Sequence, residues 1–144
     1  MALPDGSLDA PVLVTVPFQR QYLGILRSVT AGVAARMDFP YDTIDDLCLA
    51  VDEACAQLLG SGPASLLTLA IGLNGTGVEL IVATDASVPE WPPPGIEEGF
   101  SWQVLTALVD EARFERSDHG LKLRLRKALS SRRGGRIPRL GRNP

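Results

Sequence analysis

Residues 42–59 read DTIDDLCLAVDEACAQLL, a stretch whose apolar residues recur three and four positions apart. This spacing predicts an amphipathic helix that packs on a hydrophobic core. The apolar positions are Ile44, Leu47, Cys48, Val51, Ala54, Cys55 and Leu58. Asp42 or Thr43 is expected to cap the first turn, and Gly60 is expected to end the helix.

Three polar residues lie together on one flank of this predicted helix. Asp46, Glu53 and Gln57 are separated by seven and four positions, so Glu53 and Gln57 are neighbours across one turn. A carboxylate and an amide placed in this way can act as a general base and as an oxygen ligand for a metal ion. The same spacing also fits a solvated rim beside the core, and the spacing alone does not separate the two interpretations.

Length and composition indicate a single domain. A chain of 144 residues, 45% of them hydrophobic, is long enough to bury a proper core. It contains no run of about 18 apolar residues, and its first residues lack a basic segment followed by an apolar one. We therefore expect a cytoplasmic protein that makes no membrane contact.

The two cysteines, Cys48 and Cys55, fall two helical turns apart on one face of the predicted helix. Their Cα atoms would then be separated by roughly 10 Å, whereas a disulfide needs less than about 7 Å. The sequence has one histidine, His119. We therefore expect both thiols to be reduced core residues rather than a redox pair or zinc ligands.

Charge is divided unevenly along the chain. Residues 1–121 contain all 17 acidic residues against five arginines, a net charge of −12, whereas residues 122–144 contain nine basic residues and no acidic ones. An acidic body argues against a nucleic-acid-binding surface and suits a basic protein partner.

The predicted elements follow one another in the order β–α–α–β–β–loop–α–β–β. Strands are expected at residues 12–16, 66–73, 78–84, 112–116 and 121–126. Helices are expected at residues 19–37, 42–59 and 100–110, with a proline-rich loop at 86–99. Together they predict an α/β two-layer sandwich, in which three helices cover one face of a mixed, mostly antiparallel sheet. Residues 12–129 would form this domain, between a flexible N-terminus at 1–11 and a basic disordered tail at 130–144.

Two segments of the chain resemble a known family. The segment LCLAVDEACAQLL, residues 47–59, resembles the first motif of the RsbW-type anti-sigma-factor serine kinases. These belong to the GHKL group of histidine-kinase-like ATPases, which share the Bergerat fold. The segment FSWQVLTALVDEARFE, residues 100–115, resembles the last helix and strand of actinobacterial, UsfX-like members. The likeness extends over about residues 12–129, and the predicted order of elements matches that fold.

The resemblance implies roles for three residues of this chain. Glu53 takes the position of the family's catalytic base, and Gln57 takes that of the Asn that binds Mg²⁺ and nucleotide. Gln carries its amide oxygen about one methylene further out, whereas Mg²⁺ demands near-ideal octahedral geometry. Asp85 takes the position of the Asp that accepts a hydrogen bond from adenine, but the glycines of the family's Asp-x-Gly-x-Gly motif do not follow it.

The family's phosphate-binding turn is altered as well. In the family it is a Gly-x-Gly-Leu turn at a helix N-terminus, where backbone amides hold phosphates. Here the turn reads Gly99-Phe100-Ser101-Trp102. Gly99 matches the first glycine, whereas Trp102 is expected to crowd the path of the phosphates. The cofactors implied by the resemblance are ATP and Mg²⁺, and the altered motifs predict that the fold is kept while the ATP chemistry is impaired.

Three functions stay open on the sequence alone. The resemblance implies an anti-sigma factor that sequesters an alternative sigma factor, of the stress or sporulation type, and is released by a STAS-type anti-anti-sigma factor. The alternative is an active serine/threonine kinase that also phosphorylates this antagonist with Mg-ATP. A third is a regulator of the same fold with unrelated partners, since a fold does not fix a function. The family further implies a homodimer, paired at the sheet edge near residues 12–16.

Overall fold

The computed structural model describes residues 8–86 and 90–128 of the chain. Its strands are β1 (Asp9–Pro17), β2 (Leu66–Asn74), β3 (Gly77–Thr84), β4 (Glu111–Ser117) and β5 (Gly120–Ala128). Its helices are α1 (Leu23–Arg36), α2 (Tyr41–Leu59) and α3 (Phe100–Leu108), with short 3-10 turns at Arg20–Tyr22 and Ile96–Glu98. The tail expected at residues 130–144, and residues 1–7 of the expected flexible N-terminus, lie outside the described residues.

The five strands form one sheet in the order β1-β2-β3-β5-β4. The sequence predicted a mixed, mostly antiparallel sheet, and all four neighbouring pairs of described strands are antiparallel. The connections explain this, because β2–β3 and β4–β5 are hairpins and an antiparallel helix pair links β1 to β2. All three helices contact strands of this sheet. The predicted two-layer α/β sandwich, with three helices, is confirmed.

A row of apolar side chains crosses all five strands and forms the floor of the core. The row consists of Val14, Leu69, Val82, Leu123 and Phe114, paired in register. Six residues of α2 are buried over this floor: Leu47, Ala50, Val51, Ala54, Cys55 and Leu58. Burying each large aliphatic side chain stabilises the fold by about 1.5–3 kcal/mol. The stripe therefore fixes how α2 is rotated about its own axis.

The two thiols occupy different environments on α2. Cys55 is completely buried in the stripe, and this burial raises the pKa of its thiol to about 12. It is therefore a neutral core residue at physiological pH. Cys48 is half-buried, and its Sγ lies 3.6 Å from the carbonyl oxygen of Arg27 on α1. Both cysteines are free, but the expectation of two core thiols holds for Cys55 only, because Cys48 lies outside the buried core.

Several predicted boundaries differ from the structure: α1 begins at Leu23, after a 3-10 turn, and not at residue 19, and α3 ends at Leu108 and not at residue 110. Helix α2 begins at Tyr41 with Pro40 as its N-cap, and no side chain makes a capping hydrogen bond, so the expected cap by Asp42 or Thr43 is wrong. Pro40 has a fixed φ of −68° and an extended ψ of 160°, which places the helix boundary one residue before Asp42. Strand β1 begins at Asp9, within the segment expected to be flexible, although a bulge interrupts its pairing with β2.

The sheet face away from the core helices carries a buried ion-pair network. Arg124 Nη1 lies 2.5 Å from Glu79 on β3, and Arg124 Nε lies 3.1 Å from Glu115 on β4. Arg124 and Glu79 are both less than a tenth exposed. Such a network holds three strands in one register, because breaking a buried pair leaves an uncompensated charge.

In the described part of the chain, no helix is long and apolar enough to cross a membrane.

The β4–β5 turn approaches the end of β3 so closely that a side chain does not fit. Gly120 has a φ of +135°, and a Cβ on it would lie 1.9 Å from the carbonyl oxygen of Thr84. The same Cβ would lie 3.0 Å from the Cα atom of Asp85. Gly120 therefore lets the turn pack against the backbone that carries Asp85, one of the predicted site residues.

We expect Gly120→Ala to lower the free energy of unfolding by about 3 kcal/mol or more, because the new methyl group overlaps backbone and the φ angle is strained. Urea denaturation measures the change. Gly24→Ala is the matched control, since a Cβ at this position in α1 meets no atom within 4 Å. It should be neutral or raise the stability by up to about 1 kcal/mol. Equal stability of Gly120→Ala and the wild type would contradict the close approach.

Candidate functional site

Glu53 and Gln57 lie one turn apart on the flank of α2, as their spacing predicted. Both side chains are half-buried, at the edge of the buried stripe. Ser101, in the first turn of α3, donates a hydrogen bond from its hydroxyl to Glu53 Oε2. The predicted pair is thus present on one flank, and its polar neighbour comes from the helix that packs beside α2.

A cavity of about 400 Å³ opens between α2, α3 and the loop that precedes α3. Its lining residues are Ala56, Gln57, Gly60, Trp91, Pro93, Ile96 and Ser101. Gln57 and Ser101 supply the polar side chains of this lining, and the other described lining residues are apolar or glycine. The volume suits a small organic ligand, although the lining brings no charged group to it.

Asp85 lies at the end of β3 but does not line this cavity. Its Oδ1 accepts hydrogen bonds from the backbone amides of Ser65, at 2.8 Å, and Leu66, at 3.2 Å. Burial alone would raise the pKa of this carboxyl group, but the amide hydrogen bonds outweigh burial and hold the pKa below its usual value. Asp85, which the resemblance assigns to adenine, therefore uses one carboxylate oxygen to hold the start of β2.

Gly99 and Trp102 lie at the N-terminus of α3, where the resemblance placed them. Gly99 is the N-cap, with an extended backbone at φ −77° and ψ 160°. Trp102 is buried and stacks on Phe114 of β4, with ring centroids 4.7 Å apart. Its ring packs into the core beneath α3 and is not among the lining residues of the cavity.

The described residues around the cavity do not fit a Mg²⁺–triphosphate group. Mg²⁺ is bound by oxygen ligands, mainly carboxylates and phosphates, and here Gln57 offers one amide oxygen while Glu53 is engaged by Ser101. Within residues 8–86 and 90–128, no group of three or more His, Cys, Asp or Glu side chains could hold a metal ion. The described lining also contains no Lys or Arg to neutralise a phosphate.

Several residues of this region were not singled out from the sequence. Trp91 lines the cavity and meets Phe114 edge-on at 4.6 Å, and Arg116 Nη1 donates to the Trp91 carbonyl oxygen at 2.7 Å. The hydroxyl of Thr84 is buried and has no hydrogen-bond partner among the described residues. A lone tryptophan in a proline-rich loop is a sequence signal for an apolar contact of this kind. The neighbouring sequence of Arg116 and of Thr84 gives no comparable signal.

The lowered pKa of Asp85 makes the stability of the fold depend on pH. A carboxylate whose pKa is lower in the folded state stabilises the fold at pH values above its unfolded-state pKa of about 4. This contribution is lost as the pH falls from there through the lower folded-state pKa. We expect Asp85→Asn to lower the free energy of unfolding by about 1 kcal/mol at pH 7. The difference from the wild type should shrink in denaturation curves measured near pH 3. Asp118→Asn, in the exposed β4–β5 turn, is the control and should change stability at neither pH. A constant difference for Asp85→Asn would exclude the charge-dependent role.

Comparisons with known proteins agree with this architecture. Residues 16–127 match the family model of the histidine kinase-like ATPase domain. The chain is 30% identical over 131 residues to the anti-sigma-F factor RsbW of Mycobacterium tuberculosis strain H37Rv, a match that covers 84% of this chain and 76% of the relative. It is 28% identical over 137 residues to the serine-protein kinase RsbW of Bacillus subtilis strain 168, covering 82% of this chain and 85% of the relative.

Two solved structures share the fold. One contains the RsbU and RsbW domains of a Mycobacterium tuberculosis protein, with a TM-score of 0.65, 18% identity and coverage of 94% of this chain but 35% of that chain. The other is the histidine kinase domain of a blue-light-activated histidine kinase from Erythrobacter litoralis, with a TM-score of 0.55, 20% identity and coverage of 91% of this chain and 68% of that chain. Because the family model spans most of the chain and an RsbW relative is 30% identical to it, this chain belongs to the histidine kinase-like ATPase domain family, among its RsbW-type anti-sigma factors.

Proposed function

We propose that the chain sequesters an alternative sigma factor, of the stress or sporulation type, and that a STAS-type anti-anti-sigma factor releases it. The observation that carries the proposal is the 30% identity to an anti-sigma-F factor along 84% of this chain. A likeness of that extent is not confined to one motif. Sequestration requires a binding surface on this scaffold and no chemical step.

We further propose that the ATP chemistry of this chain is impaired. Phosphoryl transfer depends on positioning and on electrostatic stabilisation by metal ions and cationic groups. The described cavity lining offers neither a carboxylate nor a basic side chain. Asp85 Oδ1 is engaged by two backbone amides, and Ser101 is hydrogen-bonded to Glu53. Losing metal clamping removes several kcal/mol of transition-state stabilisation, and about 1.4 kcal/mol already slows a reaction tenfold.

Charge supports a basic protein as the partner. Helix α2 alone carries five acidic residues and no basic one, within a body of net charge −12 over residues 1–121. Complementary charge accelerates association and suppresses binding of acidic competitors. A DNA-binding sigma factor offers such basic surfaces, whereas nucleic acid itself would be repelled.

We also propose that two copies pair along β1. This strand lies at the edge of the sheet, so one side of its backbone has no neighbouring strand among the described elements. Val12 and Leu13 are 42% and 52% exposed there. An exposed apolar edge strand is prone to pair with another chain, and pairing with a second copy would cover it.

Leu13→Asp should convert the proposed dimer into a monomer, because it would bury two unpaired charges at the new interface. Static light scattering at micromolar concentration measures the mass. We expect the wild type at twice the 15.4 kDa chain mass and the variant at 15.4 kDa. Leu49→Asp alters a leucine on α2 that is equally exposed, at 54%, and should leave the dimer intact. A wild type that scatters as a monomer would rule out the pairing.

The proposed function is tested by comparing the wild type with Glu53→Ala in two assays. With radiolabelled ATP, Mg²⁺ and the cognate antagonist, we expect both proteins to label the antagonist at background. In transcription assays, both should inhibit the sigma factor equally, since Glu53 lies at the rim of the core and its loss should change stability by about 1 kcal/mol at most. Strong labelling of the antagonist that Glu53→Ala abolishes would establish the kinase instead. Failure to bind any sigma factor of the host would refute sequestration.

A further inference from the structure

The Glu53 carboxylate is already occupied by a hydroxyl group of the same chain. Ser101 Oγ donates to Glu53 Oε2, and the contact joins the middle of α2 to the first turn of α3 across 48 positions of sequence. Among the described residues, this is the hydrogen bond that the Glu53 side chain makes. Ser101 also lines the cavity, as does Gln57. The contact therefore connects the predicted base, which is not itself a lining residue, to a side chain that lines the cavity.

The chemistry of this contact imitates that of a base with its substrate. A general base must hold the hydroxyl it deprotonates within about 2.6–3.2 Å. The Ser101 side chain presents a hydroxyl group, the same hydrogen-bond donor that a substrate Ser or Thr side chain would present to such a base. An external hydroxyl must therefore compete with one that is covalently tethered, and tethering gives the internal group a high effective concentration.

The surrounding packing keeps Ser101 in this position. The next residue, Trp102, is buried and stacks on Phe114 of β4, while α3 packs directly against α2. Gly99 caps the helix, and its carbonyl oxygen accepts a hydrogen bond from the Gln103 amide at 3.2 Å, which closes the first turn around Ser101. The hydroxyl cannot swing away from Glu53 through a movement of the α3 backbone unless this packing is disturbed.

We propose that Ser101 is an internal stand-in for a substrate hydroxyl: it occupies Glu53, closes the α2–α3 side of the cavity and keeps the carboxylate from serving as a base. Ser101 is thus a positioning residue and not a catalytic one. The inference rests on the proposed function, since it names a contact within the same site that contributes to impaired ATP chemistry. This contact is independent of the altered metal ligand at Gln57, because removing the Ser101 hydroxyl abolishes the contact and leaves Gln57 unchanged.

The test measures how accessible the Glu53 carboxylate is, without nucleotide or partner. The full chain is treated with a water-soluble carbodiimide and an excess of an amine, and amide formation at Glu53 is followed by mass spectrometry. The exposed Asp118, in the β4–β5 turn, serves as the internal reference. We expect Ser101→Ala to accelerate labelling of Glu53 about fivefold or more relative to Asp118, because the hydroxyl that shields the carboxylate is gone.

Ser101→Thr is the matched variant that separates this role from a merely structural one. Threonine keeps the hydroxyl and is accepted in the first turn of a helix, so labelling of Glu53 should return to the slow wild-type rate. Equal labelling rates in the wild type and Ser101→Ala would overturn the proposal, and so would fast labelling in Ser101→Thr. Thermal melts of all three proteins exclude unfolding as the cause of faster labelling.

The same variants distinguish this inference from the proposed function. Capture of the sigma factor should be the same for the wild type, Ser101→Ala and Ser101→Thr, because sequestration does not use the carboxylate. If the wild type captures no sigma factor while Ser101→Ala still accelerates labelling of Glu53, the proposed function fails and the internal contact stands. If capture is intact and the labelling rates are equal, the internal contact fails alone.

Discussion

Burial of one face of α2 over the apolar floor of the sheet is the constraint on which this structure depends. The stripe from Leu47 to Leu58 can be buried in one rotation of the helix only, since successive side chains of the stripe point to the same side. This rotation places Glu53 and Gln57 on the flank next to α3. The core thus positions Glu53 and Gln57, while the loop that precedes α3 supplies part of the cavity wall.

The polar groups of the site make hydrogen bonds within the chain: Asp85 with the amides that begin β2, and Glu53 with Ser101. Each of these hydrogen bonds contributes a modest net stabilisation, about 0.5–1.5 kcal/mol for neutral pairs and more for charged ones. Both side chains therefore hold elements of the fold together. Scaffold and site are therefore linked through the same side chains.

The sequence predicted what local spacing determines. The periodicity of α2, the hairpin strands and the Glu53–Gln57 pair depend on residues a few positions apart, and all three are present in the structure. The sequence did not predict that Trp102 stacks on Phe114 or that Asp85 holds Ser65, because these contacts depend on how distant strands and helices are aligned. The cap of α2 was mispredicted for a local reason, since the fixed φ of Pro40 moved the boundary ahead of Asp42. The antiparallel orientation of all described neighbouring strands depends on how the strands are connected, which the strand propensity of single residues does not determine.

The central claim is that this chain binds its sigma factor as a scaffold, independently of nucleotide. Isothermal titration of the host's sigma factor into the chain, with and without millimolar Mg-ATP, tests it most directly. Because coupling between two ligands is reciprocal, a nucleotide that does not bind cannot change the sigma-factor affinity. The account predicts dissociation constants that agree within about twofold under the two conditions. A tenfold tightening with Mg-ATP, a coupling of about 1.4 kcal/mol, would contradict it and show that the ATP site is functional.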